Sequence, residues 1–191
     1  MNQIPKPETL YALEDQLAQL EARIRQLRTS VRGQIVQDYE FSGWDGPITL
    51  GELFAEQIHL IVIHNMGVGC PYCTMWADGF VGLLPNLSAA ASVVVSNHDP
   101  VERQKEISQK RGWPFRMVDA SATDFTEAMG FYAREGEDVG MLPGCSTFTR
   151  DADGTIRRHA MSFFGPHDKF CPVYSFLELL PSEVEERFSP T

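Results

Sequence analysis

This chain lacks a long apolar run. No stretch of its 191 residues approaches the ~18 consecutive apolar residues that a membrane-crossing helix needs. The longest, near residues 58–63, has the length of a buried strand. The opening Met1-Asn2-Gln3-Ile4-Pro5-Lys6-Pro7 lacks the apolar core of a secretory signal, so a cytoplasmic location and no membrane partner are expected. Basic residues are also few, 16 Lys and Arg against 26 Asp and Glu, for a net charge of −10. The only basic pairs, Lys110-Arg111 and Arg157-Arg158, are too sparse for a phosphate-binding surface, which argues against nucleic acid. Cysteine is scarce as well. The four present, Cys70, Cys73, Cys145 and Cys171, do not make a disulfide framework in a cytoplasmic chain of this size. Redox chemistry, metal binding or plain burial remain.

The most informative segment is Cys70-Pro71-Tyr72-Cys73. It follows the apolar Leu60-Ile61-Val62-Ile63-His64 and precedes a stretch that reads as a helix over residues 74–84. Two thiols at i and i+3 can close a small disulfide ring. At a helix start, free N–H groups and the positive dipole end favour a thiolate on the first thiol. Cys70 is therefore the expected nucleophile and Cys73 the resolving thiol. Pro71 suits the first helical position because it has no N–H to lose. Asp78, further along the same helix, is expected to be solvated or salt-bridged rather than a proton relay.

Residues 7–32 stand apart. Leu10, Leu13, Leu17, Leu20, Ile24, Leu27 and Val31 recur at spacings 3, 4, 3, 4, 3, 4, an a/d stripe on a helix opening at Pro7 and ending before Gly33. The arm at residues 1–33 either packs on its own domain or joins two subunits. The charged flanks favour a homodimer. From Gln34 the pattern becomes β/α alternation. Strands are expected at residues 35–41, 59–65, 92–96, 115–118, 145–149 and 155–159. Helices are expected at 50–55, 99–111, 123–129 and 172–180. Residues 134–140 read as an acidic loop, and Asp151-Ala152-Asp153-Gly154 as a hairpin turn. The order implies an α/β protein, a mixed central sheet with helices on both faces. Residues 34–182 form that domain, and 183–191 a frayed acidic tail.

With the dithiol after the second strand and Leu142-Pro143 directly before the hairpin, residues 34–182 resemble the thioredoxin fold. The long insertion before Pro143 and the segment Phe148 to Arg157 resemble its alkyl hydroperoxide reductase and thiol-specific antioxidant branch. Three further segments resemble the domain-of-unknown-function 899 family of bacterial thioredoxin-like proteins, over roughly residues 8–182. They are Gly69-Cys70-Pro71-Tyr72-Cys73 with Trp76-Ala77-Asp78; Met141-Leu142-Pro143-Gly144; and Ser162-Phe163-Phe164-Gly165-Pro166, continuing to Phe170-Cys171-Pro172-Val173. The resemblance implies a cis proline at Pro143 beside the dithiol. Peroxiredoxins carry P-x-x-x-T/S-x-x-C, but here Ile63 and Gly67 occupy the Pro and Thr/Ser positions. That departure demotes a dedicated peroxidase.

The expected reaction is thiol–disulfide exchange on a protein or small-molecule disulfide, with an external reductant and no cofactor. Tyr72, Trp76, Pro71 and Pro143 would shape the site. The inferred topology also brings Cys145, His167 and Cys171 to the same sheet edge as possible accessory groups. The rivals are hydroperoxide reduction on Cys70 and a non-catalytic zinc or copper site drawn from Cys70, Cys73, His167 and Cys171.

Overall fold

The computed structural model describes residues 7–134, 139–166 and 168–190. The acidic residues 135–138 and the candidate His167 lie outside the described residues. The chain opens with α1 (Pro7–Arg28), then β1 (Gln34–Val36), β2 (Glu40–Gly43) and β3 (Gly46–Thr49). A 3-10 turn at Glu52–Phe54 leads to β4 (His59–His64), α2 (Pro71–Leu87), β5 (Ser92–Asn97), α3 (Val101–Arg111) and β6 (Arg116–Asp119). After these come α4 (Phe125–Ala128), β7 (Tyr132–Ala133), β8 (Gly140–Met141), β9 (Gly144–Arg150) and β10 (Ile156–Phe163). The chain closes with α5 (Pro172–Leu177) and α6 (Ser182–Arg187).

The main sheet runs β1-β10-β9-β4-β5-β6-β2-β3. β4, β5 and β6 are parallel, and β9 is antiparallel to β4. The crossovers β4-α2-β5 and β5-α3-β6 step in the same direction. Right-handed connections therefore lay α2 and α3 on one face of the sheet. Alternation along β4 divides the core accordingly. Leu60 and Val62 join Phe54, Phe125, Phe131 and Phe148 on the face covered by α4 and the 3-10 turn. Ile63 faces Trp76, Phe80, Trp113, Phe164 and Tyr174 on the face covered by α2, α3 and α5. Each large side chain fully buried there contributes roughly 1.5–3 kcal/mol.

Three expectations change. The single strand foreseen at residues 35–41 is two strands on opposite sides of the sheet, β1 at one edge against β10 and β2 one strand in from the other edge, between β6 and β3. A turn, with Tyr39 N–H donating to Gln37 O at 3.0 Å, separates them and sends Tyr39 into the core. The returning hairpin strand continues past His159 to Phe163 through a register shift between Arg158 and Ala160. The tail also forms α6, and Phe188 beyond it packs against the second core.

Candidate active site

The dithiol sits where β4 delivers the chain to the head of α2. Cys70 is the N-cap residue in extended conformation, and Pro71 occupies the first turn. A cap side chain normally offers an oxygen to the free N–H groups of the first turn. Here sulfur does so, and Cys73 N–H donates to Cys70 Sγ at 3.2 Å. Cys73, one turn on, is 2% exposed. All four cysteines are free thiols.

The two thiols are opposites. The Cys73 thiol donates to Cys70, and the Tyr72 and Cys73 backbone N–H groups add to that. Together they outweigh partial burial and bring Cys70 down to about 6. Cys73 is pushed far up, first because it donates to the Cys70 sulfur and second because it is buried. At pH 7 Cys70 is mostly thiolate and Cys73 holds its proton.

The loop before Cys70 is fixed from beneath. Asn65 Oδ1 accepts from Gly67 N–H at 2.7 Å, and its Nδ2 donates to Cys73 O at 3.3 Å. Asp99 Oδ2 accepts from Val68 N–H at 2.8 Å and from Asn97 Nδ2 at 3.1 Å. Asn97 is held in turn by the fully buried Gln104, whose Nε2 donates to Asn97 Oδ1 at 2.8 Å. Gly67 has φ +95°, and a Cβ there would lie 2.8 Å from Asp99 Oδ2. A hydroxyl residue at this position would have to take a strained positive φ and displace the Asp99 carboxylate. Sequence reading missed Asn65, Asn97, Asp99 and Gln104 as supports. Their signal was Asn and Asp directly after two strand ends, where such side chains bind nearby backbone.

Trp76 lies beside the motif as expected, buried against Phe164 and Tyr174 at ring-centroid distances of 5.8 and 6.5 Å. The loop after β10 reaches the same place. Asp168 accepts from Gly165 N–H at 2.8 Å, Phe170 N–H at 2.7 Å and Cys171 N–H at 3.1 Å. Trp76 Nε1 approaches the same carboxylate at 3.5 Å. Tyr174, on α5, is raised to about 12, chiefly by burial and further by Tyr72, Cys171, Asp168 and Cys70. Tyr72 itself is exposed at the rim.

Cys145 and Cys171 lie in the core on the same face of the sheet as the dithiol. Cys145 pairs with Ile63 in the ladder and is pushed up to about 11 by burial. Cys171 is buried, which raises its thiol too. Among the described residues no three His, Cys, Asp or Glu side chains converge as a metal site would require. Asp78 is structural, accepting from Trp113 Nε1 at 2.7 Å and pairing with Arg111 at 2.9 Å. His59 meets Thr149 Oγ1 at 3.1 Å and His98 meets Thr126 Oγ1 at 3.0 Å.

Pro143 lies at the expected sheet edge, next to Gly144, which pairs with His64. The expectation of a cis bond is overturned, because no peptide bond among the described residues is cis. The trans form is lower by about 0.5–1 kcal/mol for such a bond, and the flanking segment stays extended. Leu142 N–H donates to Phe131 O at 2.8 Å, and Pro143 O accepts from Phe164 N–H at 2.9 Å. The constraint lies at Gly144 instead, where a Cβ would meet Phe131 Cε1 at 2.3 Å and Ser162 O at 2.4 Å.

This architecture, with a dithiol heading the helix after a central strand, is thioredoxin-like. The sequence matches, over residues 6–189, a family described as bacterial protein of unknown function, DUF899. The chain belongs to that family. No curated protein sequence matches it. Among solved structures it is similar to peroxiredoxin Q of Xanthomonas campestris, at 17% identity and TM-score 0.59, covering 74% of this chain and 90% of that one. It is also similar to peroxiredoxin Q of Xylella fastidiosa, at 15% identity and TM-score 0.62, covering 78% and 95%. BcpB, a peroxidoxin from Mycobacterium tuberculosis, aligns at 20% identity and TM-score 0.55, covering 83% and 98%. At these identities the likeness is one of fold.

Proposed function

We propose that this protein is a dithiol–disulfide oxidoreductase that reduces a protein or small-molecule disulfide. The observation that carries this reading is the split pair, a Cys70 thiolate accepting from a buried Cys73 thiol. The Cys70 thiolate attacks one sulfur of the substrate disulfide. A mixed disulfide forms and the other substrate sulfur leaves as a thiolate. The main influence that kept Cys73 protonated, its donation to the Cys70 thiolate, then disappears. Cys73 gives its proton to the departing thiolate and attacks Cys70 Sγ. The second substrate sulfur is released and the Cys70–Cys73 disulfide closes. Two electrons pass from dithiol to substrate, and an external dithiol returns them. Insulin reduction driven by dithiothreitol tests this, with Cys70→Ser as the control. Wild type is expected to exceed the variant clearly, and equal rates would refute the proposal.

A second reading is hydroperoxide reduction. Cys70 would take the terminal peroxide oxygen, releasing an alcohol, and Cys73 would displace water from the resulting sulfenic acid. The names of the fold neighbours favour it, and the closed space at Gly67 weighs against it. Rapid loss of the Cys70 thiolate with one equivalent of hydrogen peroxide would put this reading first.

A further inference from the structure

The stripe on α1 is left largely exposed by its own chain. Leu10, Leu13, Leu17, Leu20, Ile24 and Leu27 are each 44–73% exposed. The arm meets the domain along its second half, beside β10 and the loop after it. There Glu21 pairs with Lys169, and the Arg28 guanidinium lies 5.5 Å from the Phe170 ring centroid. A helix of 22 residues spans ~33 Å. One that leaves its apolar face in water has little to hold it helical. The 3-4 alternation is the narrow seam of a two-helix coiled coil, not the wider stripe of a helix lying on a globular core.

Charge identifies what covers the seam. The first half of α1 carries Glu8, Glu14 and Asp15, and the second half Arg23, Arg25 and Arg28 with Glu21 as its one acid, which pairs with Lys169. Glu14, Asp15 and Arg23 lie inside the terminal turns, beyond the reach of the helix dipole, so the dipole does not account for the division. Such a helix is complementary to itself when reversed. Antiparallel pairing sets acidic half on basic half twice over, whereas parallel pairing stacks like on like. An anionic lipid surface would repel the acidic half.

We propose that α1 is a homodimerisation element, its apolar seam closed by α1 of a second copy running antiparallel. Each domain then hangs from one end of a two-helix rod. The proposal is independent of the redox reading.

Light scattering and sedimentation velocity on the full chain test it. Twice the chain mass is expected from micromolar concentration upward. Leu17→Lys with Leu20→Lys should give a monomer whose domain melts as in wild type, because both side chains are exposed. Glu14→Arg with Asp15→Arg should weaken the dimer by about tenfold or more. Adding Arg23→Glu and Arg25→Glu to that chain should restore it. A wild type that stays monomeric at sub-millimolar concentration overturns the proposal, as does a dimer that survives the lysine pair. A dimer indifferent to the acidic-half reversal overturns the antiparallel arrangement.

Discussion

The Asp99 carboxylate lies against Gly67, where any side chain would have to displace it. Asp99 Oδ2 stands 2.8 Å from where a Gly67 Cβ would be, and the same oxygen accepts from Val68 N–H at 2.8 Å. The carboxylate that shapes the approach to Cys70 thereby fills the place a threonine or serine would need. Gly67→Thr should lower stability by ~1–3 kcal/mol, from a strained positive φ and the displaced carboxylate. It should not accelerate peroxide consumption. Thermal unfolding and a peroxide assay on the same preparation check both.

The Cys70 thiolate should be measurable directly. Alkylation of Cys70 by iodoacetamide should rise with pH about a midpoint near 6 and level off above pH 7. Cys73→Ala removes the largest stabilising influence, so its midpoint should move up toward the ordinary thiol value of about 8.5. An unmoved midpoint would mean that the helix start alone sets the thiolate.

Oxidation should be confined to one pair. Mild oxidation followed by peptide mass mapping should find Cys70 bridged to Cys73, with Cys145 and Cys171 still free. Those two are buried, and burial pushes both thiols upward. A Cys70–Cys171 or Cys145–Cys171 bridge would reassign the resolving thiol.

His64 should make the fold acid-sensitive. Its ring is buried, stacked on Phe131 at 3.9 Å, bonded to Ser146 Oγ at 3.0 Å, and held well below the ordinary histidine value by burial and by Arg158. Below the unfolded value of about 6.5 the unfolded chain takes up a proton that the folded chain refuses, so stability falls as pH falls. His64→Phe should cost stability at pH 7 through the lost Ser146 bond. It should also flatten the dependence of the melting temperature between pH 6.5 and 5.

Asp99→Ala should free Val68 and Asn97 from the carboxylate. A loss of ~1–3 kcal/mol is expected for groups left without their partner. Alkylation of Cys70 at pH 7 should also slow, because the cap geometry rests on that loop. Unchanged alkylation with a lowered melting temperature would limit Asp99 to stability.

Local pattern carried much of this protein. The dithiol, the proline behind it, the apolar strands expected at 59–65 and 92–96, and the hairpin turn at residues 151–154 are short-range signals, and the two strands form within one residue of those bounds. The heptad was legible because its period is a property of one helix. The split of residues 35–41 was not, since both halves read as strand and only their partners, β10 and β6, differ. The extension of β10 beyond His159 was hidden for a similar reason, because a bulge lets a polar, exposed residue interrupt a strand without ending it.

Two thiols one helical turn apart at a helix start, with no hydroxyl residue three places before the first, can be read from the residues alone. Tertiary structure decided what those facts mean. It buried Cys73 so that the two thiols differ, filled the space at Gly67 with Asp99 from the end of the next strand, and kept Pro143 trans with the constraint at Gly144. It also brought Asp168 and Tyr174 to the motif while sealing Cys145 and Cys171 in the core. Proton affinity and steric room depend on neighbours distant in the chain, and only the folded packing sets them.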